Sequence, residues 1–290
     1  MKVKSALESY LLVLPAVLIF SIFYIVPFFS VLQLGFFEWD GILPTKIFVG
    51  FSNFKEIFAD RIWWQSFWQS GYITLIALTF QNVLAFLLAW ACDREIRLKN
   101  LYRVLFFIPP VLSEVVVGLV WQWILNGNYG ILNYWLTHFG FTNLTRDWLS
   151  NPNTALTTVA VVHCWKGFGW GFLLFLAGLQ TIPRELYEAA RVDGANAWSS
   201  FKNVTAPLMI PVVIMVAILT ILGTMQVFVL IYTMTGGGPG YHTEVPVLRI
   251  LASMRGSSRF GYACAQGITF GVILCMISFV QLIVSRKVKN

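Results

Sequence analysis

Residues 183–207 read PRELYEAARVDGANAWSSFKNVTAP, a polar and charge-balanced segment between two long apolar runs. Hydrocarbon cannot solvate so many charged and amide groups, so the segment has to lie in water. Nothing else in the chain is both polar and so densely patterned. We therefore interpret it as the element through which the chain contacts a partner, set between runs that belong in a membrane.

The composition places the chain among membrane proteins, since 58% of its residues are hydrophobic and only 11% are charged. A soluble domain carries about 25% charged residues. Six runs reach the length of about 20 apolar residues that crosses a bilayer. Backbone groups in lipid must be paired within the segment, so these runs are predicted to be helices. The predicted spans are Tyr10–Phe37, Tyr72–Cys92, Val104–Leu125, Ala155–Gln180, Pro207–Thr235 and Tyr262–Ser285.

The distribution of positive charge predicts the orientation of these spans. With both termini in the cytoplasm, the inner segments hold most of the 20 lysines and arginines, as membrane proteins prefer. The first apolar run is too long for a secretory signal and has no prompt cleavage site. We therefore predict an all-α integral membrane protein with six transmembrane helices and cytoplasmic termini. It forms one domain over residues 1–290, with a cytoplasmic coupling loop over residues 181–206 between helices four and five.

No catalytic, metal or cofactor site is expected. The glycines of TMTGGGPG, at 233–240, lack the Lys-Ser/Thr that a phosphate-binding loop requires. The three histidines are scattered, and the four cysteines fall in or at the ends of spans, where they fit as small apolar fillers. The net charge of +7 follows the inner segments, so it indicates contact with membrane lipid rather than with nucleic acid.

The local signals of the polar segment predict two short helices joined by a turn. Pro183 fits a first helical turn, and Glu185 suits the positive end of the helix dipole. Gly194 ends this helix because glycine tolerates the left-handed conformation, and Asn196 caps a second helix through Phe201. The residues alone leave two interpretations open: an ordinary connector on the membrane surface, or a slim helix that inserts into a groove of a partner.

The motifs of the segment resemble the EAA motif of permease subunits in bacterial ABC importers. The matching residues are Glu188-Ala189-Ala190, Asp193-Gly194-Ala195, Phe201 and Pro207. Four further stretches, FVGFSNF at 48–54, FFIPPVLSEVVVGLVWQWILN at 106–126, LAGLQTIP at 176–183 and MTGGGP at 234–239, are similar to the carbohydrate-uptake subfamily, in the same order. Within it the chain resembles the first permease of maltose-type and glycerol-3-phosphate-type importers. The resemblance covers nearly the whole chain.

This resemblance implies a set of partners and a set of contact residues. The partners are a second permease in a pseudo-symmetric heterodimer, two copies of an ATPase subunit and an extracytoplasmic solute-binding protein, all at a bacterial cell membrane. ATP hydrolysis would belong to the ATPase, and this chain would be a transport subunit, not an enzyme. The residues implied to couple it to the ATPase are Glu185, Glu188, Ala189, Ala190, Asp193, Gly194, Ala195, Phe201 and Pro207.

Polar residues within the spans are candidates for a translocation path. Glu114 and Lys166 lie near mid-depth of the third and fourth spans, where a charge costs about 2.5–3.5 kcal/mol on insertion scales and tends to be functional. They are close enough in depth to pair, and a purely structural ion pair is the alternative. The uncharged candidates are Gln81, Asn82, Gln226, Phe228 and Tyr232. Val229 stands where many relatives carry an acid.

Two other classes of function are weighed against an importer subunit. An ion-coupled secondary transporter would need broken helices and buried carboxylates, and Glu114 is the one carboxylate within a predicted span. A membrane enzyme would need a convergent nucleophile, base or metal set, which the sequence does not provide. The motifs leave the solute open among sugars, oligosaccharides and related polar compounds.

Overall fold

The computed structural model describes residues 2–93 and 98–289, with side chains over residues 10–93 and 98–286. Arg94 and Arg97, which belong to the predicted inner segments, lie outside the described residues. The side chains at both ends of the chain are also outside them. The chain forms two compact units: Met1–Arg61 with Arg249–Ile273, and Ile62–Leu248 with Leu274–Asn290. The single domain expected over residues 1–290 stays a prediction.

The described residues are mostly helical. The α-helices in chain order are α1 Lys2–Phe20, α2 Val26–Leu34, α3 Ser52–Ala59, α4 Arg61–Ile76, α5 Asn82–Asp93, α6 Lys99–Val111, α7 Glu114–Ile124, α8 Ile131–His138, α9 Ala155–Gln180, α10 Arg184–Val192, α11 Ala197–Ser200, α12 Ala206–Met225, α13 Val229–Met234, α14 Pro246–Arg255 and α15 Phe260–Lys289. Three π-helical turns, Ser21–Ile25, Ala77–Gln81 and Phe201–Thr205, join α1 to α2, α4 to α5 and α11 to α12. Thr142–Leu144 is a 3₁₀ turn, and the strands are β1 Phe37–Glu38 and β2 Ile47–Phe48.

Five stretches of the described residues are long and apolar enough to cross a membrane, or six if one sharply bent pair counts as a span. They are Tyr10–Leu34, Arg61–Asp93, Ala155–Gln180, Ala197–Met225, Phe260–Arg286 and the pair Lys99–Val111 with Glu114–Ile124. The fourth predicted span is confirmed at its predicted bounds. The first ends earlier than predicted, at Leu34, because Gly35 follows and Phe37 pairs with Phe48 in the short antiparallel ladder.

The second span begins earlier than predicted, because the tryptophan-rich stretch before it is part of the same continuous helix. Trp63 in α4 is completely buried, whereas Trp68 is 76% exposed. Trp63 therefore belongs to the packed interior, whereas Trp68 lies on the surface of the chain.

The third span was predicted as one helix over Val104–Leu125. It consists of two helices, α6 and α7, that meet at 93°. Pro109 and Pro110 lie at the end of α6, where each removes a backbone donor and disfavours the helical conformation of the residue before it. Leu112 and Ser113 are then extended, with ψ angles of 142° and 135°. The bend leaves the last carbonyls of α6 without their helical partners.

The fifth span is displaced toward the N-terminus relative to the prediction of Pro207–Thr235. It begins at Ala197, ahead of Pro207, and α12 ends at Met225. The side-chain amide of Gln226 donates to the Leu222 carbonyl at 3.2 Å, the acceptor that a continuing helix would offer to a backbone N–H. Thr224 also donates its hydroxyl to the Thr220 carbonyl of its own helix, an arrangement that often bends helices.

The core of the unit Ile62–Leu248 with Leu274–Asn290 is built around α9. Alanines of α5 and phenylalanines of α9, among them Ala85, Ala89, Phe172 and Phe175, are buried in one apolar cluster that Met209 of α12 completes. Burial of each large side chain in such a cluster contributes roughly 1.5–3 kcal/mol. The small side chains of α5 let α9 approach closely, and this sets the frame for the polar groups described below.

Gly169 allows close contact between α9 and α6. A Cβ at this position would collide with the carbonyl oxygen of Phe106 and lie 2.6 Å from Cγ of Pro110. The Phe106 carbonyl lacks its usual helical donor because Pro110 has no N–H. Gly169 therefore brings the backbone of α9 against a carbonyl that the proline has left open.

In the other unit, charged side chains join α3 and the residue after it to Arg259 and to the first turn of α15. Arg259 donates twice to the carboxylate of Glu56, both at 2.6 Å, and Asp60 accepts from the Tyr262 hydroxyl at 3.0 Å. The hydrogen bonds from Arg259 hold the pKa of Glu56 below its ordinary value. The backbone of Gly261 also donates to the Trp39 carbonyl at 3.1 Å.

The close approach at Gly169 predicts a strong effect of a single methyl group. Gly169→Ala should destabilise the protein by about 1–3 kcal/mol, the usual cost of overpacking, visible as a lower thermal midpoint in detergent. Gly71→Ala is the matched control, because Gly71 is a helical glycine of α4 with nothing within 4 Å of the added Cβ. Equal midpoints for the two variants would contradict the contact.

The lowered pKa of Glu56 predicts an acid-dependent contribution to stability. The contribution is present above the ordinary carboxyl pKa of about 4.3 and disappears as pH falls through the lowered value in the folded protein. The pair is half exposed, so the effect is small. Glu56→Gln should flatten the fall of the thermal midpoint between pH 6 and pH 3, roughly the range of this titration. A pH profile identical to that of the wild type would show that the pair contributes nothing.

Candidate functional site

The polar segment forms two short helices joined by a glycine turn, as the sequence predicts. α10 begins at Arg184, with Pro183 immediately before it, and ends at Val192. Gly194 has a φ of +78°. Its N–H donates to the Arg191 carbonyl at 3.0 Å, and the next N–H, of Ala195, donates to the Ala190 carbonyl at 2.9 Å. This pair of bonds is a Schellman motif, which fixes the direction in which the chain leaves α10.

The second short helix is the start of the fifth span. The side chain of Asn196 accepts from the backbone N–H of Ser199 at 2.8 Å and caps α11, as predicted. α11 does not end at Phe201, however, but continues through a π-helical turn into α12. Residues 183–200, which we call the elbow, are therefore the direct extension of a membrane-spanning helix.

Most side chains of the elbow are exposed, and α10 has no buried residue. Two large apolar side chains are among the most open in the chain, Val192 at 87% and Trp198 at 70% exposure. Of the residues that the sequence proposes for the ATPase contact, the exposed ones are Glu185, Glu188, Ala189, Asp193, Gly194 and Pro207, and the partly buried ones are Ala190, Ala195 and Phe201.

Two contacts join the elbow and its π-helical turn to the spans. The ring of Phe201 lies 5.6 Å from the ring of Trp90 and 6.1 Å from that of Phe86, both on α5. The hydroxyl of Tyr187 in α10 hydrogen-bonds that of Thr205 at 2.9 Å. Phe201 thus faces its own chain rather than outward.

The structure brings Glu114 and Lys166 together at the bend of the third span. Nζ of Lys166 lies 3.9 Å from Oε1 of Glu114 and donates to the Pro110 carbonyl at 3.4 Å. Pro110 stands before the bend, and Glu114 is the first residue of α7, where the helix dipole favours a carboxylate. Lys166 therefore bridges the two halves of the broken span and satisfies a carbonyl that the bend has left open.

These two charges line a cavity of about 360 Å³ together with Gln81, His163 and Thr220. Oε1 of Gln81 is buried and has no hydrogen-bond partner among the described residues. Gly167 makes room for this amide, since a Cβ there would lie 2.8 Å from Oε1. The cavity is named the polar cavity below.

The remaining candidates for the path lie elsewhere. Asn82 accepts from Thr220 at 3.2 Å but lines a different, apolar cavity. Gln226 and Phe228 lie between α12 and α13, and Tyr232 lies within α13, so the predicted span Pro207–Thr235 does not carry them on one helix. The rings of Phe228 and Tyr232 stack with centroids 5.5 Å apart, outside the lining of the polar cavity.

Sequence reasoning missed three residues of these sites. Gly167 and the Pro110 carbonyl shape the polar cavity, and Tyr187 ties α10 to the fifth span. The two consecutive prolines ahead of an intramembrane glutamate were a signal for the bend. In the part of the chain that the structure describes, no three His, Cys, Asp or Glu side chains are placed to hold a metal ion.

The sequence matches a described protein family over most of its length. Residues 81–290 match the family described as binding-protein-dependent transport system inner membrane component. This range contains the elbow and both charged residues of the polar cavity.

Individual relatives match over nearly the whole chain. A probable ABC transporter permease protein, YurN, of Bacillus subtilis is 33% identical, covering 96% of each chain. The trehalose/maltose transport system permease protein MalF of Thermococcus litoralis is 29% identical, covering 99% of this chain and 96% of the relative. The fold is similar to that in a crystal structure of a bacterial ABC transporter involved in the import of the acidic polysaccharide alginate, with a TM-score of 0.87, 22% identity and coverage of 100% and 98%.

Proposed function

Because the chain belongs to the family of binding-protein-dependent transport system inner membrane components, we propose that it forms half of the translocation pathway of an ATP-driven importer. The solute is a sugar, an oligosaccharide or a related polar compound. In this proposal the chain has no ATPase activity of its own. A separate ATPase subunit binds it at the elbow.

The observation that carries the proposal is the exposed elbow on a rigid extension of the fifth span. Val192 and Trp198 are largely exposed although they are apolar, and apolar side chains grouped on a surface mark a contact with a partner. The acids Glu185 and Glu188 and the small Ala189 lie exposed on the same short helix. Such a slim amphipathic helix fits a groove in a partner protein.

The way in which the elbow is attached to the spans would let a movement of the partner reach the membrane-spanning helices. A partner that moves the elbow would move α12, since α11 continues into it through the π-helical turn. The contact of Phe201 with Trp90 would carry the same motion to α5. Rigid-body displacement of packed helices by a nucleotide-driven partner is an established form of conformational coupling.

The polar cavity is proposed as part of the solute path. Charged groups within a span are costly and are retained mostly for function, and Glu114 and Lys166 face this cavity together with an unpaired amide oxygen. Gln226, Phe228 and Tyr232 would contribute outside it. A saccharide fits the family, because MalF of Thermococcus litoralis is named for trehalose and maltose.

The assembly and its location complete the proposal. The second permease is a homologous subunit in a pseudo-symmetric pair, two ATPase subunits bind on the cytoplasmic side, and a solute-binding protein delivers solute from outside. The chain crosses the cell membrane with both termini in the cytoplasm. Six spans require the bent pair α6 and α7 to count as one.

The bend of the third span favours one other function. An ion-coupled transporter uses broken helices and intramembrane carboxylates, and Glu114 lies directly after the break. Its carboxylate, however, is near the ammonium of Lys166 rather than placed to bind an ion alone. Solute uptake by the purified chain in liposomes without an ATPase would favour the ion-coupled function.

The glycine turn of the elbow predicts a variant that uncouples transport. Gly194→Val places a branched side chain at φ +78°, which costs about 1–3 kcal/mol and redirects the elbow. The assembled importer in proteoliposomes should take up at least about tenfold less solute per ATP hydrolysed.

Gly140→Val is the matched control for this variant. Gly140 also has a positive φ, +83°, with nothing within 4 Å, and it ends α8 in the same Schellman motif, with the N–H of Phe141 donating to the Leu136 carbonyl. The backbone strain is therefore alike, and only the position differs. Equal loss of uptake per ATP in both variants would mean that strain, not docking, explains the result.

A further inference from the structure

The polar cavity offers the carboxylate of Glu114 as a hydrogen-bond acceptor and the ammonium of Lys166 as a donor. The hydroxyl of Thr224 is already bonded to Thr74 at 2.7 Å, and that of Thr220 donates to Asn82. Among the described residues, the carboxylate oxygens of Glu114 have only the long contact to Lys166, at 3.9 Å. A ligand that satisfies these oxygens must supply several O–H or N–H donors.

The two charges of the cavity are not equally accessible. The side chain of Glu114 is 42% exposed, whereas that of Lys166 is 14% exposed and is partly occupied by the Pro110 carbonyl. The carboxylate of Glu114 is therefore the more open of the two charges to a solute in the cavity. An anionic solute is repelled by an exposed carboxylate, and repulsion of this kind gives selectivity.

We propose that the polar cavity is a binding site for uncharged polyhydroxy solutes, and that Glu114 discriminates against solutes that carry a carboxylate or a phosphate. A hydroxyl of the solute donates to Glu114, while a ring or hydroxyl oxygen accepts from Lys166. The cavity volume of about 360 Å³ is at the lower end of the range of roughly 300–1,000 Å³ for ligand pockets.

This inference rests on the proposed function, and it names the class of solute within it. The family leaves that class open: its members include a trehalose/maltose permease and an sn-glycerol-3-phosphate permease, one with neutral and one with anionic cargo in its name. The exposed carboxylate of Glu114 assigns this chain to the members with neutral cargo.

The test is a comparison of two probes that differ by one charge. Binding of glucose and of glucuronate is measured by equilibrium dialysis on the assembled permease–ATPase complex in detergent, without the solute-binding protein, so that its selectivity does not enter. The wild type should bind glucose at least about tenfold more tightly than glucuronate. Glu114→Gln removes the repulsion and should lower this preference at least about tenfold, a change worth roughly 1.4 kcal/mol.

Two further variants separate selectivity from general damage. Glu38→Gln removes a carboxylate in β1 and should leave the ratio of the two affinities unchanged. Lys166→Gln removes the positive charge behind Glu114 and should weaken glucuronate more than glucose. A merely structural role of the pair would weaken both probes alike in both cavity variants and leave the ratio as in the wild type.

Three results would overturn the inference: no binding of either probe to the wild type, tighter binding of glucuronate, or an unchanged ratio in Glu114→Gln. None of these measurements requires ATP hydrolysis. Failure here would therefore leave the coupling role of Gly194 intact, and failure of the Gly194→Val prediction would leave the binding ratios intact.

Discussion

The contact of Phe201 with the rings of α5, supported by the hydrogen bond between Tyr187 and Thr205, joins the exposed elbow to the membrane-spanning part of the chain. Without it, movement of the elbow would reach α12 alone, through the continuous helix. Aromatic pairs of this geometry contribute about 0.5–1.5 kcal/mol beyond their buried area, and the continuous helix from Ala197 to Met225 adds stiffness. A force applied to the elbow therefore reaches two spans.

The interior of the spans shows how the chain pairs polar groups around a broken helix. Two prolines bend the third span, Gly169 brings α9 against the Phe106 carbonyl, and Lys166 donates to the Pro110 carbonyl. The positive charge of Lys166 is in turn balanced by Glu114 beyond the bend. Lys166 and Glu114, which connect the two halves of the broken helix, also line the polar cavity. The bend and the cavity are therefore parts of one feature.

Sequence patterns predicted the elements whose cause is local. The fourth span, the turn at Gly194 and the cap at Asn196 depend on hydropathy, on a positive φ and on one side-chain oxygen, each readable from a few residues. The end of the fifth span at Met225 could not be predicted from a few residues. The Gln226 side-chain amide competes with the backbone for the Leu222 carbonyl only once the helix has folded. The pairing of Glu114 with Lys166 was anticipated, but the partnerless amide of Gln81 depends on space that Gly167 of another helix provides.

The central claim is that a separate ATPase covers the elbow, and the exposure of Val192 makes this directly measurable. Val192→Cys, at a position 87% exposed in the free chain, is labelled with a membrane-impermeant maleimide, with Gly140→Cys as an exposed control away from the elbow. In the complex with the ATPase, labelling at residue 192 should slow at least about tenfold, as expected for a site that is open in only a tenth of the molecules, while labelling at residue 140 is unchanged. Equal labelling of residue 192 with and without the ATPase would contradict the account.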